Sequence, residues 1–163
     1  MFEVGQYVVF GNKGVCQVLN VGPIDMPGIP EDKMYYTLSQ VYQRSSTLYT
    51  PVDKENSPIR PILSKKDAKK LMDIIKEMDP EWNPNDKVRN QIYTEILRKA
   101  DSRELGEMII ALDKRKKERI ASGKKPTSTD EKFFHAAADI FFGELGIALE
   151  IDKDEVKSII IES

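Results

Sequence analysis

The chain has a single tryptophan, Trp82, in the segment Asp79-Pro80-Glu81-Trp82-Asn83-Pro84-Asn85, between two prolines and just ahead of the cations Lys87 and Arg89. Proline fixes φ and removes an amide donor, so this connector is stiff enough to hold an indole outward. One chemistry open to such a ring is that of a wedge: it partly unstacks a base step while neighbouring Lys and Arg grip phosphates. The other is that of a staple, because large aromatics are usually mostly buried and the ring can fold back on the next helix. The sequence leaves both open. Downstream, Lys114-Arg115-Lys116-Lys117-Glu118-Arg119 reads first as a solvated helix end whose cations complement the carboxy-terminal dipole. Its leading residues, Lys114 and Arg115, are also candidate phosphate contacts.

Catalytic arrangements are sought without success. The only histidine, His135, precedes Asp139 by four residues on an expected helix, which gives a hydrogen-bonded pair on one face and not a metal site. Gly123-Lys124-Lys125-Pro126-Thr127 lacks the first glycine of a phosphate loop and follows a helix, not a strand. Gly22 and Gly28 are interrupted by Pro23 and Pro27, which remove the amides that a phosphate cradle needs. Cys16 falls in an expected strand with no histidine nearby in sequence, so a packed, inert thiol is expected. With one His and one Cys, a structural zinc site of the usual ligand type is excluded. Neither an enzyme nor a cofactor is expected.

The elements that must position these residues change character near Leu63. Before it, Tyr7 to Phe10 and Val15 to Val21 flank Gly11-Asn12-Lys13-Gly14 as a hairpin. Runs over Met34 to Leu38, Thr47 to Val52 and Ile59 to Leu63 follow, the last after a turn around Asn56, Ser57 and Pro58. Five short strands can hide their edges only by curling into a small closed or half-closed barrel. After Leu63 the apolar period is helical. Ser64 caps a run with Ala68, Leu71, Met72, Ile75 and Met78, ended by Asp79-Pro80. A second helix carries Val88, Ile92, Tyr93, Ile96 and Leu97, and Asp101 caps a third that stops at Gly123. Ser128 and Glu131 form a capping box for a fourth with a stripe of Phe134, Ala138, Phe141, Leu145 and Leu149, and a short fifth starts at Asp152. The fold class is therefore α+β, with a β module over residues 1–63 and about five helices over residues 64–163.

Charge is unevenly spread along the 163 residues. Residues 1–63 sum to −1, residues 64–126 to +5 and residues 127–163 to −6, within a net charge of −2. A protein that coats nucleic acid indiscriminately needs a large positive excess, because its affinity comes from displaced counterions. DNA binding here is expected to be weak, salt-sensitive and dependent on a second tether. No apolar run approaches the ~18 residues of a membrane span, and Met1-Phe2-Glu3 starts no signal peptide. A monomer in a reducing cytoplasm, without membrane contact, is expected.

Taken in order, Phe2-Glu3-Val4-Gly5-Gln6-Tyr7-Val8-Val9-Phe10, Lys13-Gly14-Val15, Tyr35-Tyr36-Thr37-Leu38, Pro51-Val52 and Ile59-Arg60-Pro61-Ile62 resemble the amino-terminal module of the CarD/CdnL family of bacterial transcription regulators. Trp82, the Leu105 to Leu112 helix and Phe142-Gly143-Glu144-Leu145 extend the resemblance through the helical half. A similar module begins transcription-repair coupling factors, which continue into helicase motors that this chain is too short to hold. The resemblance implies a Tudor-like, SH3-like barrel that docks on the β subunit of RNA polymerase. It also implies a helical domain that touches promoter DNA in the minor groove, without sequence specificity, at the upstream edge of the bubble. Trp82 then takes the place of the family's wedge, with Lys87, Arg89, Lys114 and Arg115 as candidate phosphate contacts. Leu48, Tyr49, Thr50 and Pro51 occupy the stretch expected to add a strand to the polymerase. Some relatives carry an arginine in that stretch, and basic residues directly after the tryptophan where Asn83-Pro84-Asn85-Asp86 stands here. The second reading is a protein-protein adaptor with Trp82 buried and no DNA contact.

Overall fold

Short β-rich runs cannot satisfy their backbone groups alone, so they pair side by side. In the computed structural model, which describes residues 1–43, 46–55 and 57–161, five runs form one antiparallel sheet. The strands are β1 (Tyr7–Phe10), β2 (Val15–Gly22), β3 (Tyr35–Gln40), β4 (Thr47–Pro51) and β5 (Ile59–Pro61), in the order β4-β3-β2-β1-β5. A 3-10 turn over Gly11–Lys13 joins β1 to β2, and Gly14 follows it at φ 77, a left-handed angle that glycine adopts without Cβ strain. Of the turn expected before β5, Asn56 lies outside the described residues. No ladder joins β4 to β5 among the described residues, so the expected barrel is a half-closed, open sheet. A register shift between Val18 and Asn20 bends β2. The concave side closes over Val8, Cys16, Val18, Tyr36 and Leu38, with Leu48 and Ile59 from the two end strands packed against them.

Side chains alternate across a strand, and here both faces are used. Val8 and Cys16 point into the barrel core, whereas Val9 and Val15 point out of it and join the helical core. The helices are α1 (Lys65–Glu77), α2 (Asp86–Lys99), α3 (Ser102–Ala121), α4 (Ser128–Leu149) and α5 (Lys153–Ile160). Ser64, Asn85, Asp101, Thr127 and Asp152 each cap one by accepting a backbone N–H of its first turn. The fourth cap corrects the expected Ser128–Glu131 box. Thr127 has the extended backbone of a cap and accepts from Asp130 N at 3.1 Å, and Ser128 is already helical. Ser and Thr are both good caps, so two in succession place this boundary only to within a residue.

The expected apolar stripe of α4 is too narrow. Ala137, Ile140, Phe142, Gly143 and Ala148 are buried as well, because α4 is the central helix and meets α1, α3, α5 and the sheet. Two glycines make these approaches possible. A Cβ on Gly106 would sit 2.5 Å from Ile75 Cδ1, and one on Gly143 would sit 2.7 Å from the Tyr42 ring.

One ion pair joins sheet and helices. Glu144 on α4 is 0% exposed, and its carboxylate accepts from Arg60 Nη1 at 2.7 Å and Nη2 at 2.9 Å, from Ser102 Oγ at 2.9 Å and from Leu63 N at 3.0 Å. Arg60 on β5 also donates to the carbonyl of Ala100, which sits at φ 55 between α2 and α3. These bonds explain why β5 ends at Pro61 although Leu63 was expected within it: Leu63 gives its amide to Glu144 and not to a strand.

Removing one partner leaves a buried charge uncompensated, so Arg60→Ala is expected to destabilise the fold by about 3–5 kcal/mol, read as a lower midpoint in denaturant. Burial pushes the Cys16 thiol from 9.0 up to about 11. Between pH 9 and 11 the unfolded chain therefore releases a proton that the folded chain retains. Stability is lost as pH rises through that window, and Cys16→Ala is expected to flatten this part of a stability-versus-pH curve.

Candidate nucleic-acid and polymerase interfaces

The Trp82 connector is pinned on both sides of the indole. α1 ends at Met78 in an extended conformation before Pro80. On one side Asp79 Oδ1 accepts from Lys114 Nζ on α3 at 2.7 Å. On the other, the Asn83 carbonyl accepts from Arg89 Nη1 on α2 at 2.9 Å, and Asn83 Oδ1 accepts from Asn85 N at 2.9 Å. Asn85 in turn caps α2 by accepting from Val88 N at 3.0 Å. The ring is half-buried and borders a groove of about 230 Å3 between α2 and α3, with Lys114 Nζ 6.0 Å from its centroid. The indole is thus neither sealed in the core nor projected free, and lies between the two sequence expectations.

The four expected phosphate contacts divide by burial. Lys87 is exposed and has no acidic partner within 4.0 Å among the described residues. Lys114 is partly exposed, and its hydrogen bond to Asp79 raises its pKa above the ordinary lysine value, keeping it charged. Arg89 is 3% exposed and lies inside. It donates to Asp86 Oδ1 at 2.6 Å, a bond that holds the Asp86 carboxyl below its ordinary value, and faces Asp130 Oδ1 at 3.9 Å. Arg115 Nε donates to Asp130 Oδ2 at 2.7 Å. The structure therefore corrects the placement of Arg89 and Arg115. Both guanidiniums converge on buried Asp130, a residue that no sequence spacing connected to them. An arginine is seldom buried without such a partner, because its charge cannot be left dry.

The rest of the basic run is also paired. Lys116 meets Glu131 at 3.4 Å, Lys117 meets Asp113 at 2.9 Å, and Arg119 Nε donates to the Lys125 carbonyl at 2.9 Å. His135 is exposed and lies 3.7 Å from Glu131, not beside Asp139 as expected. Helical side chains lean toward the amino end, so a histidine reaches residue i−4 more readily than i+4.

In the sheet, the stretch Leu48, Tyr49, Thr50 and Pro51 is all on β4, which is hydrogen-bonded to β3 alone. Its other edge is open among the described residues, and Pro51, having no N–H, suits an edge position. Tyr49 is exposed, Leu48 and Pro51 are half-buried, and Thr50 is buried. The alternation presents Tyr49 outward and Thr50 inward. Sequence reasoning missed Asp130 as the anchor of the Trp82 connector, and missed Glu81, Glu104 and Glu107, which line the same groove. Nothing in their local spacing marks them.

If Arg89 holds the connector, Arg89→Ala is expected to increase acrylamide quenching of the Trp82 fluorescence while far-ultraviolet circular dichroism stays near that of the parent. Unchanged quenching would show that Lys114 and the prolines suffice.

Among the described residues no helix is long and apolar enough to cross a membrane. No curated protein matches the chain. Residues 2–63, 62 of the 163, match the family model described as the CarD-like/TRCF RID domain. That is a protein-interaction family and not a known enzyme family, tied to RNA polymerase and to transcription. The match covers the whole described sheet and ends where Ser64 caps α1. The sheet of this chain is thus similar to the CarD-like/TRCF RID domain over residues 2–63, a similarity that supports a CarD-like family member.

Proposed function

We propose that the chain is a transcription regulator that docks on the β subunit of RNA polymerase through residues 1–63 and presents Trp82, within residues 64–163, to promoter DNA at the upstream edge of the bubble. The open edge of β4 supports the docking half, because an exposed strand edge can extend a partner's sheet through main-chain hydrogen bonds while Tyr49 supplies a side-chain contact. The observation that carries the DNA half is the half-buried indole on a connector tied down at Asp79 and Asn83. Such a ring loses little conformational freedom when it enters a minor groove, so more of its contact energy remains for binding.

A wedge that fits parted bases better than stacked ones shifts the closed-to-open equilibrium tenfold for each ~1.4 kcal/mol of preference. Lys87 is the cation free to meet a phosphate, with Lys114 beside the ring as a second. Arg89 and Arg115 act indirectly, by holding the connector and α3 against Asp130. Docking on polymerase supplies the effective concentration that a net charge of −2 does not. Such a regulator acts as a monomer in the cytoplasm.

The adaptor reading keeps one specific support, the acidic side chains Glu81, Glu104 and Glu107 around the groove that Trp82 borders. The two separate on one variant. Trp82→Ala is expected to leave folding and polymerase docking intact and to shorten the lifetime of promoter open complexes severalfold, measured by dissociation against a competitor. An unaltered lifetime with intact docking would favour the adaptor.

A further inference from the structure

Tyr42 ties the docking end of the sheet to the helices. It stands two residues past the end of β3, in the loop that leads into β4, and the root of that loop is held where Val41 N donates to the Val15 carbonyl at 3.0 Å. From there the ring lies on α4. Its hydroxyl donates to the Gly143 carbonyl at 3.0 Å, and the Lys153 ammonium of α5 sits 4.4 Å from the ring centroid, where the π face attracts a cation. At 41% exposure Tyr42 belongs to neither apolar core, so its ring is not needed to fill either one.

Gly143 leaves the space that the ring occupies. Glycine inside a helix is less stable than alanine, and Gly143 has no left-handed angle that would require it. What it provides is room: the three atoms nearest to a Cβ built there all belong to the Tyr42 ring, the first at 2.7 Å. The next residue, Glu144, takes Arg60 from β5. The two ends of the sheet thus meet consecutive residues of α4, and a second attachment set apart from the first resists rotation as well as translation. On the same helix Asp130 anchors the Trp82 connector through Arg89, about 20 Å from Gly143 at the helical rise per residue. One rigid rod therefore joins the seat of Tyr42 to the anchor of the indole.

We infer that Tyr42 is a positioning residue: seated on Gly143, it fixes the distance between the β4 edge and Trp82. The use of that distance at a promoter rests on the promoter reading. A rigid link between two binding sites raises the effective concentration of the second once the first is occupied, and a loose link lowers it without touching either contact.

The test uses the full chain with spin labels at Tyr49→Cys on β4 and Gln91→Cys on α2, both exposed, and leaves the buried Cys16 in place. Pulsed electron resonance is expected to give one narrow distance in the parent and a broader or displaced distribution in Tyr42→Ala. Gly143→Ala is expected to do the same, because its methyl pushes the ring off its seat while alanine suits α4 better than glycine. Combining the two is expected to add nothing to Tyr42→Ala, since the methyl then meets no ring. Tyr42→Phe, which keeps the ring on Gly143, is expected to stay near the parent. The inference is overturned if Tyr42→Ala and Gly143→Ala both match the parent, or if Gly143→Ala disturbs the distance equally with and without Tyr42. Denaturant midpoints of the same variants separate a lost position from a lost fold. In promoter complexes the unlabelled Tyr42→Ala is expected to shorten the open-complex lifetime severalfold with docking on polymerase intact. A full lifetime there, beside a shortened one for Trp82→Ala, would also overturn the positioning role. No effect of Trp82→Ala would instead sink the promoter reading, and the label distances would decide the role of Tyr42 alone.

Discussion

A carboxylate at the centre of the molecule governs how its parts are placed. Glu144 is fully buried and accepts hydrogen bonds from β5, from the segment leading into α1 and from the first residue of α3. An ionised group withdrawn from water is tolerated only when its lone pairs are all met. A small displacement of β5 or of the α2–α3 junction would leave part of that need unmet. The orientation of sheet and helices is therefore specified by the pair, and the apolar contacts of Val9 and Val15 with the helical core supply the non-directional attraction that accompanies it. Arg60 extends the constraint to Ala100, so the same guanidinium also fixes where α2 ends and α3 begins.

Asp130 repeats this design on a smaller scale. It sits in the first turn of α4 and draws Arg115 from α3 and Arg89 from α2 toward one point. Arg89 then reaches the Asn83 carbonyl, so the position of the indole is tied to the start of the central helix. The consequence for function is electrostatic as well as geometric. The middle third of the chain carries an excess of +5, yet much of that charge is consumed internally: Arg89 and Arg115 at Asp130, Lys114 at Asp79, Arg98 at Glu95 and Lys117 at Asp113. What remains facing solvent near Trp82 is a mixed surface, with Lys87 on α2 and the glutamates of the groove. A surface of this kind discriminates by local complementarity and not by a long-range positive field. That fits a protein whose placement is set by another macromolecule.

The sheet divides its labour by edge. β5 is engaged by the helices through Arg60, whereas β4, at the opposite end, has no strand on its other edge among the described residues. An open edge is a liability in an isolated protein, since it invites pairing with any extended segment. Here the strand is only five residues long and ends in Pro51, which limits such pairing to a short ladder.

What was legible in the sequence follows from interactions that are local along the chain. The strand runs apart from the end of β5, the glycine turn, the caps Ser64 and Asp101, the start of the fifth helix at Asp152 and the break at Pro80 all depend on residues within a few positions of one another, and the structure has them close to where periodicity put them. The fourth cap moved by one residue because two hydroxyls in succession are locally equivalent. Sequence periodicity also named the residues of α4 that face one way, but not that α4 is enclosed on most sides, since enclosure depends on what other segments do. Arg60 and Glu144 stood inside the segments that carried the family resemblance, yet nothing in either segment says that they meet across the molecule. The burial of Arg89 and the pairing of Arg115 with Asp130 were invisible for the same reason. A charged side chain reads as solvated until an opposite charge is brought to it, and only the tertiary structure brings Asp130 to these two. Local propensity thus fixed the elements, and long-range pairing of buried charges decided how they are set against each other and which cations are left to face a partner.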